Sequence, residues 1–182
     1  VNDGDYDGSF FHRLVPGFVL QGGGFSYNPT NYTFYEVPED APVQNEPVFS
    51  NIRGTIAMAK LGGDPDSATS EFFFNLADNS ANLDASNGGF TVFGNVIGDG
   101  LARLDVLAGA LTNPANIGIW DAGGTHPAFG ELPLIDHDPA SEFWPDNLEM
   151  IYSVSVVTPE PGALALLGLG GVTMLRRRRI QR

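Results

Sequence analysis

The chain has 182 residues, enough for one domain with extensions, and 42% of them are apolar, enough to bury a core. It contains no cysteine, which excludes a disulfide framework, a zinc–thiolate site and a thiol nucleophile. All 22 acidic residues lie at or before Glu160, against four basic ones, Arg13, Arg53, Lys60 and Arg103, so the body carries about −18 and repels nucleic acid.

The 23 glycines and 13 prolines favour turns and short strands over long helices. Residues 1–8 read as a turn rich in Gly and Asp. Phe10–Val15 and Phe18–Phe25 read as two strands around a Pro16–Gly17 turn. Residues 26–51 are polar and Pro-rich and read as a long loop. Gly54–Ala59, Glu71–Leu76 and Phe90–Ile97 read as further strands. Asp99–Leu111 is the clear helix, because Leu101, Leu104, Leu107, Ala108 and Leu111 recur at three- and four-residue steps, with Asp99 as N-cap. Residues 112–147 are irregular, with Trp120 and Trp144 as packing anchors. Glu149–Val157 alternates as a closing strand. A mainly β fold follows, an antiparallel barrel or sandwich.

The tail is a different kind of sequence. Pro159-Glu160-Pro161 breaks regular structure, Ala163–Leu175 is apolar or small throughout, and Arg176–Arg179 follow at once. Thirteen helical residues span about 20 Å, short of a bilayer core of about 30 Å. The arginines favour the cytoplasmic side and place the body across the membrane. The order of these three parts resembles the PEP-CTERM sorting signal of Gram-negative bacteria. That resemblance implies export, transient insertion in the inner membrane through residues 163–175, processing by an exosortase-type enzyme, and a destination in the envelope, at the surface or in the extracellular matrix. Residues 1–157 are then the folded domain and 158–182 the sorting tail.

Chemistry concentrates in Phe10-Phe11-His12-Arg13-Leu14-Val15-Pro16-Gly17-Phe18-Val19-Leu20-Gln21-Gly22-Gly23-Gly24-Phe25. Strand side chains alternate faces, so Arg13 shares a face with Val15, and Val19 with Gln21. A cation on an apolar sheet face needs a reason, because burying an unpaired charge is costly.

This segment resembles the signature of the cyclophilin-type peptidyl-prolyl isomerases. Gly54–Ala59, Ser67–Asn75, Asn82-Leu83-Asp84 and Gly89–Gly94 resemble its further motifs in order. The resemblance implies an antiparallel barrel of eight strands capped by two helices. Against that pattern the chain lacks the first two strands and first helix. An upstream segment and a secretion signal are therefore expected, and the sheet edges left unpaired here are a stability liability. It further implies isomerisation of X–Pro bonds in exported client proteins, with no metal or cofactor. Arg13 would be catalytic. Phe18, Val19, Phe73 and Leu83 would form the proline pocket, with Phe90 at its edge and Met58 on a lining strand. Gln21 would orient Arg13, and the backbone of Ala59 and Lys60 would contact the residue before proline. Glu71 stands where the family usually has Gln and could pair with Arg13 and hold it, or compete with the substrate; it is counted with the substrate-binding residues. Asn82 replaces a large aromatic, which opens the pocket on that side. The alternative is a catalytically weak module that binds Pro-containing segments.

Other signals carry less. Asp3–Gly8 begins like a calcium loop, but Leu14 stands where a bidentate Glu is required. His12, His126 and His137 have no metal-binding spacing, and His12 lies on the strand face opposite Arg13, as a structural histidine. Gly22–Gly24 opens no helix and is not a nucleotide site.

Overall fold

The structure, a computed structural model, describes residues 4–110, 119–123, 125–137 and 145–155. Its main element is a five-stranded antiparallel sheet of β2 (Arg13–Val15), β3 (Val19–Gly22), β6 (Thr55–Met58), β7 (Phe72–Asn75) and β8 (Val92–Asn95), in the order β2-β3-β7-β6-β8. Pro16–Gly17 turns β2 into β3. Phe18 N–H donates to the Val15 carbonyl at 3.0 Å, and Gly17 has φ +68°, a conformation that glycine adopts without steric cost.

A second sheet, in the order β11-β1-β4-β5, joins β1 (Ser9–Phe10), β4 (Phe25–Asn28), β5 (Thr33–Glu36) and β11 (Met150–Ile151). The hairpin of β4 and β5 corrects the reading of 26–51 as one loop. Phe25 and Tyr27 are buried, Phe34 packs with them, and Asn28–Tyr32 turns the chain. The period-2 signal is only four residues long on each arm, too short to stand out among polar neighbours. Strands β9 (Ile119–Trp120) and β10 (Leu132–Pro133) form a small third sheet within the stretch read as irregular. Among the described residues the strands make three sheets. The closing strand is shorter than its alternation suggests, with β11 covering only Met150–Ile151 and Tyr152 already exposed.

Helix α1 (Ser80–Leu83) is a single turn, and α2 (Gly100–Ala110) matches the expected helix within a residue or so at each end. Leu104 and Leu107 of α2 pack with Leu14 and Leu20 beneath the large sheet. The Asp99 carboxylate accepts from Arg103 Nε at 2.8 Å. The aromatic cluster of Phe10, Phe25, Phe34 and Phe129, with Leu132, Leu134 and Leu148, anchors the 125–137 segment against the second sheet. Trp144 and residues 156–182, with the apolar segment 163–175, lie outside the described residues. No helix among the described residues is long and apolar enough to cross a membrane.

Candidate functional site

The strand register places Arg13 opposite Gln21, Gln21 opposite Phe73, Phe73 opposite Ala57 and Ala57 opposite Val92. One row thus crosses all five strands, and the pleat sends its side chains to one face. Val19, Ala57, Phe73, Leu83 and Val92 are buried together there, with Val15, Phe18, Ala59 and Phe90 packed against them. Phe73 meets Phe90 edge to face at 5.8 Å. An apolar floor therefore adjoins a half-exposed guanidinium.

The polar end of the row is a chain of side-chain contacts. Arg13 Nε donates to Glu131 Oε2 at 2.6 Å. Gln21 Oε1 lies 3.5 Å from Arg13 Nη1, the long edge of hydrogen bonding. The Gln21 amide donates to Glu71 Oε2 at 2.5 Å. Burial raises the Glu71 carboxyl above its ordinary range, and the Gln21 bond partly offsets this. Behind it, His12 is buried, with Nε2 3.7 Å from Glu71 Oε2. Burial first, then the Arg13 charge, lowers the His12 pKa to about 4, so this imidazole is neutral near pH 7.

Two glycines let this chain close up. Gly23 has φ +82°, and a Cβ there would lie 2.7 Å from the Ser70 carbonyl oxygen. A Cβ on Gly24 would clash with the Glu71 carboxyl group. The glycine run lets Ser70, the Phe72 ring and the Glu71 carboxyl approach closely.

A buried amide network holds the apolar floor. Asn75 Nδ2 donates to Asn51 Oδ1 and to Thr55 Oγ1. Asn79 Nδ2 donates to Asn75 Oδ1 and to the Phe18 carbonyl. Asn51 donates from N and Nδ2 to Asp84 Oδ1, and from Nδ2 to the Phe90 carbonyl. These bonds hold the Asp84 carboxyl below its usual range, the backbone N–H of Asn51 foremost. Phe18 comes from a turn, Leu83 from α1 and Phe90 from a loop, and this network fixes where they meet. Asn75 and Asp84 sit inside the resembling motifs, but an Asn in Phe-Phe-Phe-Asn signals burial only once its partners, up to 24 residues away, are known.

Beside the row lies a cleft of about 390 Å³, lined by Gln21, Glu39, Ala59, Lys60, Asp64, Asp66 and Glu71 among others. Ala59 N–H already donates to the Glu71 carbonyl at 2.9 Å. The Lys60 ammonium turns away to the carbonyls of Asn87 and Gly89 and lies over the Phe90 ring. Burial lowers the Lys60 pKa. No group of three or more metal-ligating side chains occurs among the described residues.

The structure thus brings together Arg13, Phe18, Val19, Gln21, Phe73, Leu83 and Phe90, with Ala59, Lys60 and Glu71 beside them. Met58 is the correction. It alternates with Ala57, pairs with Phe72 and lines an apolar cleft on the opposite sheet face. Of the two alternatives for Glu71, the pairing with Arg13 is not made: its carboxylate is held by Gln21, and the acid on Arg13 is Glu131. No local pattern in the sequence singles out Glu131, which lies 118 residues from Arg13 in the stretch that reads as irregular.

Residues 1–118 match the family described as cyclophilin type peptidyl-prolyl cis-trans isomerase. The chain belongs to the cyclophilin family. This cyclophilin is 42% identical over 116 residues to a peptidyl-prolyl cis-trans isomerase of Acinetobacter baylyi, covering 62% of this chain and 58% of that protein. It is 46% identical over 101 residues to peptidyl-prolyl cis-trans isomerase A of Dickeya dadantii, covering 53% and 50%. It therefore spans between half and three-fifths of the length of these relatives. The crystal structure of a cyclophilin type isomerase from Cryptosporidium parvum shares the fold, with TM-score 0.51 at 19% identity over 85% of this chain and 76% of that one. Residues 157–179 match the PEP-CTERM protein-sorting motif, which marks the chain for export and membrane sorting in Gram-negative bacteria.

Proposed function

We propose that this cyclophilin catalyses cis/trans isomerisation of X–Pro bonds in exported proteins, with Arg13 as its catalytic residue. Rotation about the peptide bond faces a barrier of about 18–20 kcal/mol from amide resonance. Lowering it requires only that the twisted state bind better than either planar one. As resonance is lost, the prolyl nitrogen becomes pyramidal and a better acceptor. A guanidinium donor beside it then strengthens its bond at the transition state. The apolar floor of Val19, Phe73, Leu83 and Phe18 takes the proline ring. Gln21, and the Ala59–Lys60 backbone at the cleft, take the flanking peptide.

The observation that carries this reading is the row itself: a half-exposed arginine, bound through Nε, ending an apolar line held by buried amides. A protease-coupled assay on a chromogenic prolyl peptide tests it with the full-length protein. Turnover above the uncatalysed rate that is lost in Arg13→Ala is expected. A rate equal to buffer alone would leave a module that binds Pro-containing segments.

The domain ends at residue 157 in this reading, and residues 158–182 form a sorting tail inserted through 163–175. An exosortase-type enzyme would process it near Pro159–Pro161 and release the domain to the surface or matrix. Mass spectrometry of the mature C-terminus tests this: an exported protein that retains residues 163–179 counts against it.

A further inference from the structure

We infer that Glu131 is the positioning residue of Arg13. Its carboxylate takes the guanidinium by Nε and leaves the Nη groups for the substrate. This inference rests on the isomerase reading and deepens it.

The mount is rigid on both sides. Leu132, next after Glu131, and Phe129, two residues before it, are fully buried. The Glu131 carbonyl accepts the N–H of Leu14, the residue after Arg13, at 2.9 Å. The two segments are therefore joined through the backbone at the same place where Glu131 Oε2 meets Arg13 Nε at 2.6 Å. Backbone and side chain together fix the direction from which the acid approaches.

The approach matters because a second acid is close. Glu71 lies across Gln21, and Gln21 Oε1 is only 3.5 Å from Arg13 Nη1. A guanidinium released by Glu131 would swing its Nη groups toward Gln21 and Glu71, since Arg pairs readily with a carboxylate in forked geometry. Those are the donors the reaction needs. Glu131 thus holds the arginine away from the site's own carboxylate. The pair itself is half exposed, and such pairs contribute little to stability. Its loss should register in turnover rather than in melting temperature.

The experiment compares wild type, Glu131→Ala and Glu131→Gln in the full-length protein. Three quantities are read: kcat and KM in the protease-coupled assay, Tm, and the Arg13 Nε–Hε resonance by NMR. Misplacing a reacting group by about 1 Å can cost about 100-fold in rate, and a smaller displacement costs less. Glu131→Ala should therefore lower kcat about tenfold, and Glu131→Gln, which keeps an acceptor, about threefold, with KM within about twofold. The Nε–Hε resonance should move in both variants while Tm stays within about 2 °C. Wild-type kcat in Glu131→Ala, or an unmoved resonance in both variants, overturns the inference. If Glu131→Ala melts early, Glu131→Gln decides, and wild-type kcat there overturns it. A wild-type protein without turnover, whose Arg13 resonance still shifts in both variants, would sink the isomerase reading and leave the pairing standing.

Discussion

The two faces of the β2-β3-β7-β6-β8 sheet use alternate residues of the same strands and are built on different principles. One carries Arg13, Gln21, Val19, Phe73 and Ala57, and the Phe18 and Phe90 carbonyls beside it are tied down by directional bonds from Asn79 and Asn51, which Asn75 links. The other carries Leu14, Leu20, Ile56, Met58, Phe72 and Phe74, and it retains an apolar cleft of about 420 Å³ bordered by Tyr6, Phe11, Phe93 and Ile151. Hydrogen bonds specify position, whereas apolar contacts specify volume. The first face is therefore the precise one and the second the adaptable one.

The largest expected difference between the faces is at Arg13. Arg13→Ala should lower kcat/KM by about 100- to 1000-fold, the range for losing one donor that acts at a transition state. Its Tm should hardly change, because the side chain is half exposed and its ion pair contributes little. A loss below threefold in the protease-coupled assay would remove the functional distinction between the faces.

His12 gives the next effect, through pH. Its pKa falls from 6.5 unfolded to about 4 folded. The unfolded chain thus binds the extra proton between these values, and stability falls as pH drops from 6.5 to 4. The loss is on the order of 3 kcal/mol. Glu71 works in the opposite sense, because burial raises its carboxyl and ionising it as pH rises costs stability. Urea unfolding of wild type and His12→Phe across that window isolates the histidine. A wild-type slope no steeper than the variant's would exclude a neutral buried imidazole.

Asn75→Ala should cost about 2 kcal/mol, since it removes the donor to the buried Asn51 Oδ1 and takes one bond each from Thr55 Oγ1 and Asn79 Nδ2. It should also raise KM, because Asn79 and Asn51, which hold the Phe18 and Phe90 carbonyls, lose the amide that links them. Denaturant melts paired with steady-state kinetics check this, and an unchanged KM would separate the network from the groove. The smallest effect is on the opposite face. Met58→Ala, beside an existing cleft, should cost about 1 kcal/mol and leave kcat/KM within twofold. A tenfold fall in turnover would return Met58 to the site.

What was legible in the sequence was what period and punctuation control. Arg13 and Gln21 share a face because a strand alternates strictly, and Pro16–Gly17 sets the turn that brings them opposite one another. Helix α2 followed from its leucine spacing. Met58 was misplaced for an equally local reason: it lies in a pocket-lining strand, but alternation sends it the other way from Ala57. The β4–β5 hairpin escaped because each arm is four residues long and its apolar side chains are diluted by Asn, Thr and Pro.

Arg13 as a cation on an apolar strand face, the acidic body and the tripartite tail are properties of the sequence alone, because each depends on residues adjacent or at a fixed local period. The partner of that cation is not. Two acids could have met Arg13, and Glu71 is nearer in sequence. The packing of Phe129 and Leu132 places Glu131 at Nε instead, and the Gln21 amide keeps Glu71 for itself. Only the tertiary structure decides such a choice, since it turns on which distant backbone is buried beside which strand.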